Sequence, residues 1–127
     1  MKFLSSTGLL ILAVVLLSNP LTVSAEGGWL GVTVQNVNPQ MAFGLGLGTP
    51  RGAMVTMVRQ GSPAARAGLL QGDVIIEFNG QPVDDVAELR RLVGERPPGS
   101  SVTLKAIRKR NEIVLSITLG EEPQQSA

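Results

Sequence analysis

Asp84, Asp85 and Glu88 put three carboxylates within five positions, a set that could hold a cation or share acid and base work. The same spacing opens a helix. An Asp at the N-cap with a Glu three residues on is a capping box, and the apolar-periodic run that follows reaches Val93 before Gly94. Cap chemistry is therefore the reading, with no metal site and no glycosidase pair. Ser62 is the other candidate. It stands directly before Pro63 and a short helical stretch, and the chain of 127 residues contains no histidine and no cysteine. No imidazole exists to activate a hydroxyl, so Ser62 reads as a cap and not as a nucleophile. Ser-His-Asp catalysis, thiolate or imidazole zinc ligation and disulfides are ruled out on the same ground. No catalytic residue, metal ligand or cofactor is expected, and an enzyme is the least expected class.

Two further stretches invite a functional reading. Phe43-Gly44-Leu45-Gly46-Leu47-Gly48 is glycine-rich, but it lacks the G-x-G-x-x-G spacing and the following helix of a nucleotide loop. Lys105, Arg108, Lys109 and Arg110 cluster at what reads as a hairpin tip, where a solvated turn is the default. Aromatic residues are 3% of the chain: Phe3, Phe43, Phe78 and Trp29. A single-stranded nucleic-acid surface needs stacked rings on a basic face, and neither is present.

The first 25 positions read as a targeting segment. Met1-Lys2 gives a positive start, Leu9–Leu17 is an unbroken apolar run of nine, Asn19-Pro20 stops it, and Val23-Ser24-Ala25 offers small residues for a signal peptidase. Nine apolar residues are too few for a span of roughly 20. Cleavage after Ala25 is expected, leaving residues 26–120 as one domain and 121–127 as a disordered polar tail. Without Lys2 the ten basic and ten acidic side chains balance. Neutral charge and export give no reason to expect nucleic acid as a partner, or a membrane unless the segment is retained.

Along the mature chain Trp29–Val37 alternates as a half-buried strand, with Leu30, Val32 and Val34 on one face. Asn38-Pro39 starts a short helix over Gln40–Phe43 that ends in the glycines at 44, 46 and 48. Gly52–Val58 is a strand, Ala64–Ala67 a short helix stopped by Gly68, and Asp73–Phe78 a strand. Asn79-Gly80 is a hairpin turn leading to Gln81–Val83. The helix from Asp85 to Val93 follows, with Val86, Leu89 and Val93 as its apolar stripe and Arg90 at the border. Two alternating strands carry Val102, Leu104 and Ala106, then Ile113, Leu115, Ile117 and Leu119. Five or six strands and two or three helices, without strict alternation, point to an α+β fold: a small, mostly antiparallel, partly closed barrel capped by helices.

Three runs within this order resemble a known family. Arg51-Gly52-Ala53-Met54-Val55, Gly61–Leu69 (GSPAARAGL) and Gly72–Gly80 (GDVIIEFNG) are very similar to the PDZ domain of bacterial HtrA-type (DegP/DegQ-like) serine proteases, and Trp29-Leu30-Gly31-Val32 resembles that family's carboxylate-binding loop. The resemblance spans roughly 29–119. It implies a five- or six-stranded barrel with two helices in the bacterial, circularly permuted order. It also implies that a partner's extended C-terminus adds as a strand beside Val32–Gln35, with the helix from Asp85 to Val93 as the other wall. The peptide and carboxylate site would comprise Trp29, Leu30, Gly31, Val32, Thr33 and Val34, with Val86, Leu89, Arg90 and Val93 across from them. Elementary chemistry agrees: an edge strand offers unpaired amides, and Gly31 lets a loop converge its amides on an anion.

The chain departs from the family in three respects. No protease domain is expected ahead of the module. Gly27 and Gly28 occupy positions where the family often has an arginine, and the α-ammonium at Glu26 after cleavage is the candidate substitute. The helix has no histidine to bond a Ser/Thr hydroxyl, so an apolar C-terminal residue is expected, with Arg90 favouring an acidic or carbonyl-rich residue upstream. The expectation is an exported, free-standing periplasmic module that binds C-terminal or unstructured peptides of exported proteins, as an adaptor or sensor in protein quality control. The alternatives are a regulatory subunit docking on a separate HtrA-type protease, and a scaffold piece anchored by an uncleaved segment.

Overall fold

The structure, a computed structural model, describes residues 27–123. The targeting segment, Glu26 and the last four residues of the tail lie outside the described residues. In chain order the elements are β1 (Val32–Asn36), α1 (Pro39–Leu45), β2 (Ala53–Val58), α2 (Pro63–Ala67), β3 (Val74–Phe78), β4 (Gln81–Pro82), α3 (Val86–Gly94), β5 (Ser101–Arg108) and β6 (Asn111–Thr118). The strands form one antiparallel sheet in the order β1-β2-β3-β5-β6, with β4 paired to β3 beside that path. The α+β class and its antiparallel sheet are as the sequence predicts. A single bridge, in which the Gly120 amide donates to the Trp29 carbonyl at 3.1 Å, brings the segment before β1 to the end of β6. Elsewhere the sheet stays open.

The short elements are made by local chemistry. The Asn38 side chain accepts from the Met41 amide at 2.8 Å and Pro39 supplies the first turn of α1. Ser62 caps α2 by accepting from the Ala65 amide at 3.1 Å. Asn79 (φ 53°) and Gly80 (φ 85°) both take the left-handed conformation that a two-residue hairpin turn requires. The alternating strands then bury one face. Leu30, Val55, Ile75, Phe78, Leu89 and Leu104 belong to the main core, and a smaller cluster of Val37, Ala42, Leu47, Val74 and Ile76 lies under α1.

Several boundaries differ from the sequence reading. β1 begins at Val32 and not at Trp29, because Gly31 (φ 86°) breaks the extended run. Helix α1 passes through Gly44 to Leu45. Helix α3 includes Gly94 and closes on Glu95 in a right-handed conformation, so Gly94 is not its left-handed stop. Only half of the capping box forms among the described residues. Asp85 accepts from the Glu88 amide at 2.8 Å, but the Glu88 carboxylate turns forward to Arg91 at 2.7 Å. The hydrogen bond from Arg91 holds the Glu88 carboxyl below its ordinary pKa.

The basic cluster is dispersed by pairing. Arg108 bonds Asp73 and the Gly68 carbonyl. Lys105 lies between Glu77 and Glu112, and Arg110 donates to the Gly44 carbonyl. Asp73, 1% exposed, accepts from Arg108 at 2.6 and 2.8 Å and from the Leu70 amide at 2.9 Å, which ties the loop after α2 to β5.

Candidate functional site

Backbone direction in β1 decides which groups it offers to a ligand. The Gly31 carbonyl accepts from the Arg59 amide at 2.9 Å, and the Thr33 carbonyl accepts from the Thr56 hydroxyl at 3.1 Å. Both carbonyls therefore point toward β2. Successive residues of a strand point their amide and carbonyl to opposite sides, so Val32 and Val34 present theirs to the free margin. That margin faces α3 across a cavity of about 380 Å³.

The cavity brings together nine of the ten residues singled out in the sequence. Trp29, Leu30 and Gly31 form its closed end, and Val32, Thr33 and Val34 form the β1 wall. Leu89, Arg90 and Val93 form the α3 wall. Leu89 and Val93 are buried while Arg90 is exposed at the rim. The tenth, Val86, does not line the cavity. Its side chain packs against the main core, and its amide donates to the Asn36 side chain at 2.8 Å, so it anchors the far end of the groove.

The closed end is built by α2. The Ala64 amide donates to the Leu30 carbonyl at 3.0 Å, which fixes the turn from outside. Gly31 is held against the buried Ser62: a Cβ at Gly31 would lie 2.2 Å from the Ser62 Cβ, and its φ of 86° disfavours any side chain. Among the described residues the amides of Leu30 and Gly31 donate to no protein acceptor. Two donors without partners beside an apolar cavity are what a carboxylate at the end of an extended chain would satisfy.

Gly28, Gly94 and Glu122 complete the lining, and sequence reasoning missed all three. Gly28 donates to the Arg96 carbonyl at 2.7 Å, and a Cβ there would meet Leu119 at 2.7 Å. A side chain cannot be placed at Gly28 without moving Leu119. Gly94 belongs to the last turn of α3, one residue beyond Val93. Glu122 reaches the groove because the Gly120–Trp29 bridge steers the segment after β6 past its closed end. No local signal in the sequence announces that bridge.

The groove is thus braced at both ends, by Gly28–Arg96 and by Asn36–Val86, and left open between. Its walls are mostly apolar, one margin carries unpaired main-chain groups, and its closed end carries two amides without a partner among the described residues. Such a slot can take an extended peptide by hydrogen bonding along β1 and burying alternate side chains against Val32, Val34, Leu89 and Val93.

Comparison with known proteins gives the same frame. The sequence profile of the family described as PDZ domain matches residues 22–119. A probable periplasmic serine endoprotease, DegP-like, of Hahella chejuensis (strain KCTC 2396) is 41% identical over 102 residues, which are 80% of this chain and 22% of that protein. The protein of the same description from Pseudomonas putida (strain W619) is 43% identical over 100 residues, 79% of this chain and 21% of that one. The chain spans about a fifth of the length of these curated relatives. Among solved structures, the HtrA-type protease AlgW with decapeptide superposes with a TM-score of 0.73 at 32% identity, covering 90% of this chain and 35% of that one. The HtrA3 PDZ domain bound to a phage-derived ligand (FGRWV) superposes with a TM-score of 0.62 at 26% identity, covering 72% of this chain and 84% of that one.

Proposed function

The chain belongs to the PDZ domain family, and from that premise we propose that it binds the C-terminal segments of exported proteins, or unstructured segments of them, by strand addition to β1. The observation that carries this reading is the conjunction at one place of the free β1 margin, the two unpartnered amides of Leu30 and Gly31 and the apolar slot against α3. The free carboxylate would seat at Leu30-Gly31, the terminal side chain would enter the slot, and the ligand backbone would pair with Val32 and Val34. Main-chain hydrogen bonds worth about 1 kcal/mol each and one buried side chain worth about 1.5–3 kcal/mol offset the ordering of a flexible peptide only modestly. Binding is reversible, of about micromolar class.

The proposed setting is the periplasm, supported by relatives described as periplasmic and by the targeting segment read in the sequence. There the module would act as an adaptor or sensor in protein quality control. Titration of the full chain with an apolar-ended pentapeptide tests the binding step. Amide resonances of residues 30–34 and 89–93 shift, and amidating the peptide C-terminus weakens binding at least about tenfold, as loss of a charge-assisted contact requires. Shifts confined to other regions, or equal affinity for the acid and the amide, overturn the reading.

A further inference from the structure

A strand added along β1 places only every second side chain in the groove, and the others must lie on the opposite face. That face has its own cavity. About 270 Å³ in volume, it is lined by Trp29, Gly31, Val32, Thr33, Met57 and Arg59. The pairing of β1 with β2 explains the grouping. Thr33 is directly opposite Met57, and Gly31 accepts from the Arg59 amide, so Met57 and Arg59, two residues apart, share the face of Thr33. Past this point the register slips: Val34 pairs with Val55, leaving Thr56 as a bulge whose hydroxyl reaches back to Thr33.

Trp29 stands between the two cavities and lines both. Its ring edge lies 3.3 Å from where a Cβ at Gly31 would sit, so it walls the closed end of the groove. On the outer face the Arg59 guanidinium lies over this ring, 5.9 Å from its centroid, a cation–π distance. Several of the other arginines are engaged elsewhere: Arg66 with the Gly61 carbonyl, Arg91 with Glu88 and Glu95, Arg108 with Asp73. Among the described residues no carboxylate lies within ion-pair distance of Arg59. The shelf therefore combines one positioned, uncompensated cation with the exposed apolar surface of Met57.

We infer that Arg59, Trp29 and Met57 form a second recognition site that selects an acidic side chain at the penultimate position of a docked C-terminal peptide. The inference rests on strand addition as proposed above and adds a side-chain preference to it. If the last residue faces the groove, the penultimate one faces this shelf. Its carboxylate meets Arg59, its stem lies on Met57, and Trp29 holds the guanidinium in place. Trp29 and Arg59 act here as positioning and recognition groups respectively, on a face the apolar slot does not reach.

The test uses the full chain and three pentapeptides that differ only in the penultimate residue, Glu, Ala or Lys, each as free acid and as C-terminal amide. The free acids rank Glu over Ala by about three- to fivefold and Glu over Lys by about tenfold, as an exposed ion pair allows, and the ratios shrink as salt rises. Arg59→Gln brings the Glu-to-Lys ratio close to one, and Arg59→Lys restores most of it. Equal affinity of the three acids for the wild type overturns the inference while leaving strand addition intact. So does an Arg59→Gln variant that keeps the Glu-to-Lys ratio. If Arg59→Gln weakens all three acids alike and none of the amides, Arg59 serves the terminal carboxylate and the inference is wrong. If no peptide binds, strand addition and the second site fall together.

Discussion

β1 and β6 end the main path of the sheet, and each has a helix beside it, but the contacts differ in kind. Against β6 the helix α2 packs closely. A Cβ at Gly120 would meet Pro63 at 3.0 Å, and the cleft left between the two elements is about 170 Å³. Against β1 the helix α3 is held at its two ends, by Asn36–Val86 and Gly28–Arg96, and stands off a cavity of about 380 Å³ in between. An unpaired strand margin is a hazard that folds normally cover. Here the last part of one margin is closed by a short helix and the other margin is framed. What separates them is where the tethers fall: α2 spans 5 residues and is seated by its cap and the Leu30 carbonyl, whereas α3, of 9 residues, sinks Leu89, Leu92 and Val93 into the main core and is hydrogen-bonded to the β1 side at its two ends.

If the two margins are independent, damage to the covered side should cost stability without touching the groove. Asp73→Ala tests this with the largest expected effect. The substitution takes the acceptor from the Leu70 amide and leaves Arg108, whose side chain is 30% exposed, with the Gly68 carbonyl alone, and losing hydrogen bonds to a buried charged group costs about 1.5–3 kcal/mol. Urea unfolding should show that loss, while the folded variant binds a C-terminal peptide with unchanged affinity. A parallel drop in affinity would mean that the loop after α2 communicates with the groove.

Gly31→Ala attacks the framed side. Forcing a side chain into a φ of 86° and against Ser62 costs about 1–3 kcal/mol, and it displaces the two free amides. Affinity for a free C-terminal acid falls at least about tenfold, the value of one charge-assisted contact. Gly61→Ala is the control. Gly61 also has a positive φ of 74°, but a Cβ there meets nothing within 4 Å. It should lower stability by about 1 kcal/mol, the strain of a side chain in that conformation, and leave binding alone. Isothermal titration of both variants separates backbone strain from loss of the site.

Much of this frame was legible in the residues. Period-two runs gave the strands, Asn38-Pro39 and Ser62-Pro63 gave helix starts, and Asn79-Gly80 gave a hairpin, because each is decided within a few residues. Nine of the ten singled-out positions converge on one cavity, since a strand and a helix that both carry an apolar stripe must turn those stripes inward. Val86 stands outside the cavity lining, and helical spacing alone does not tell which end of the stripe reaches the groove. The bond from its amide to Asn36 joins positions 50 residues apart. Gly28, Glu122 and Arg59 were missed for the same reason: each comes to the site through a long-range pairing, with Arg96, with the Trp29–Gly120 bridge, or across β1 and β2. Asp85 and Glu88 show the reverse case. The local pattern predicted a reciprocal cap, and Arg91, one turn on, took the Glu88 carboxylate instead.

The smallest effect probes the tether itself. Asn36 reaches from the last residue of β1 to the first amide of α3, at 2.8 Å, and α3 retains a separate cap from Asp85 to Glu88. Asn36→Ala therefore should not unravel the helix. It removes one hydrogen bond, worth about 1 kcal/mol, and frees the N-terminal end of α3 to move away from β1. A wall that can drift must be ordered again when a ligand docks, so affinity should fall about three- to fivefold, the equivalent of up to roughly 1 kcal/mol. Asn36→Asp keeps an acceptor at the same place and adds a charge that suits a helix start, so it should restore most of the affinity. A merely structural role predicts another pattern, with both variants binding like the wild type once folded. Comparing peptides of three and five residues adds a spatial check. The shorter ligand ends before Asn36 and should be less sensitive to its loss than the longer one. Equal sensitivity would place the brace's influence in the whole of α3 and not at the far end of the groove.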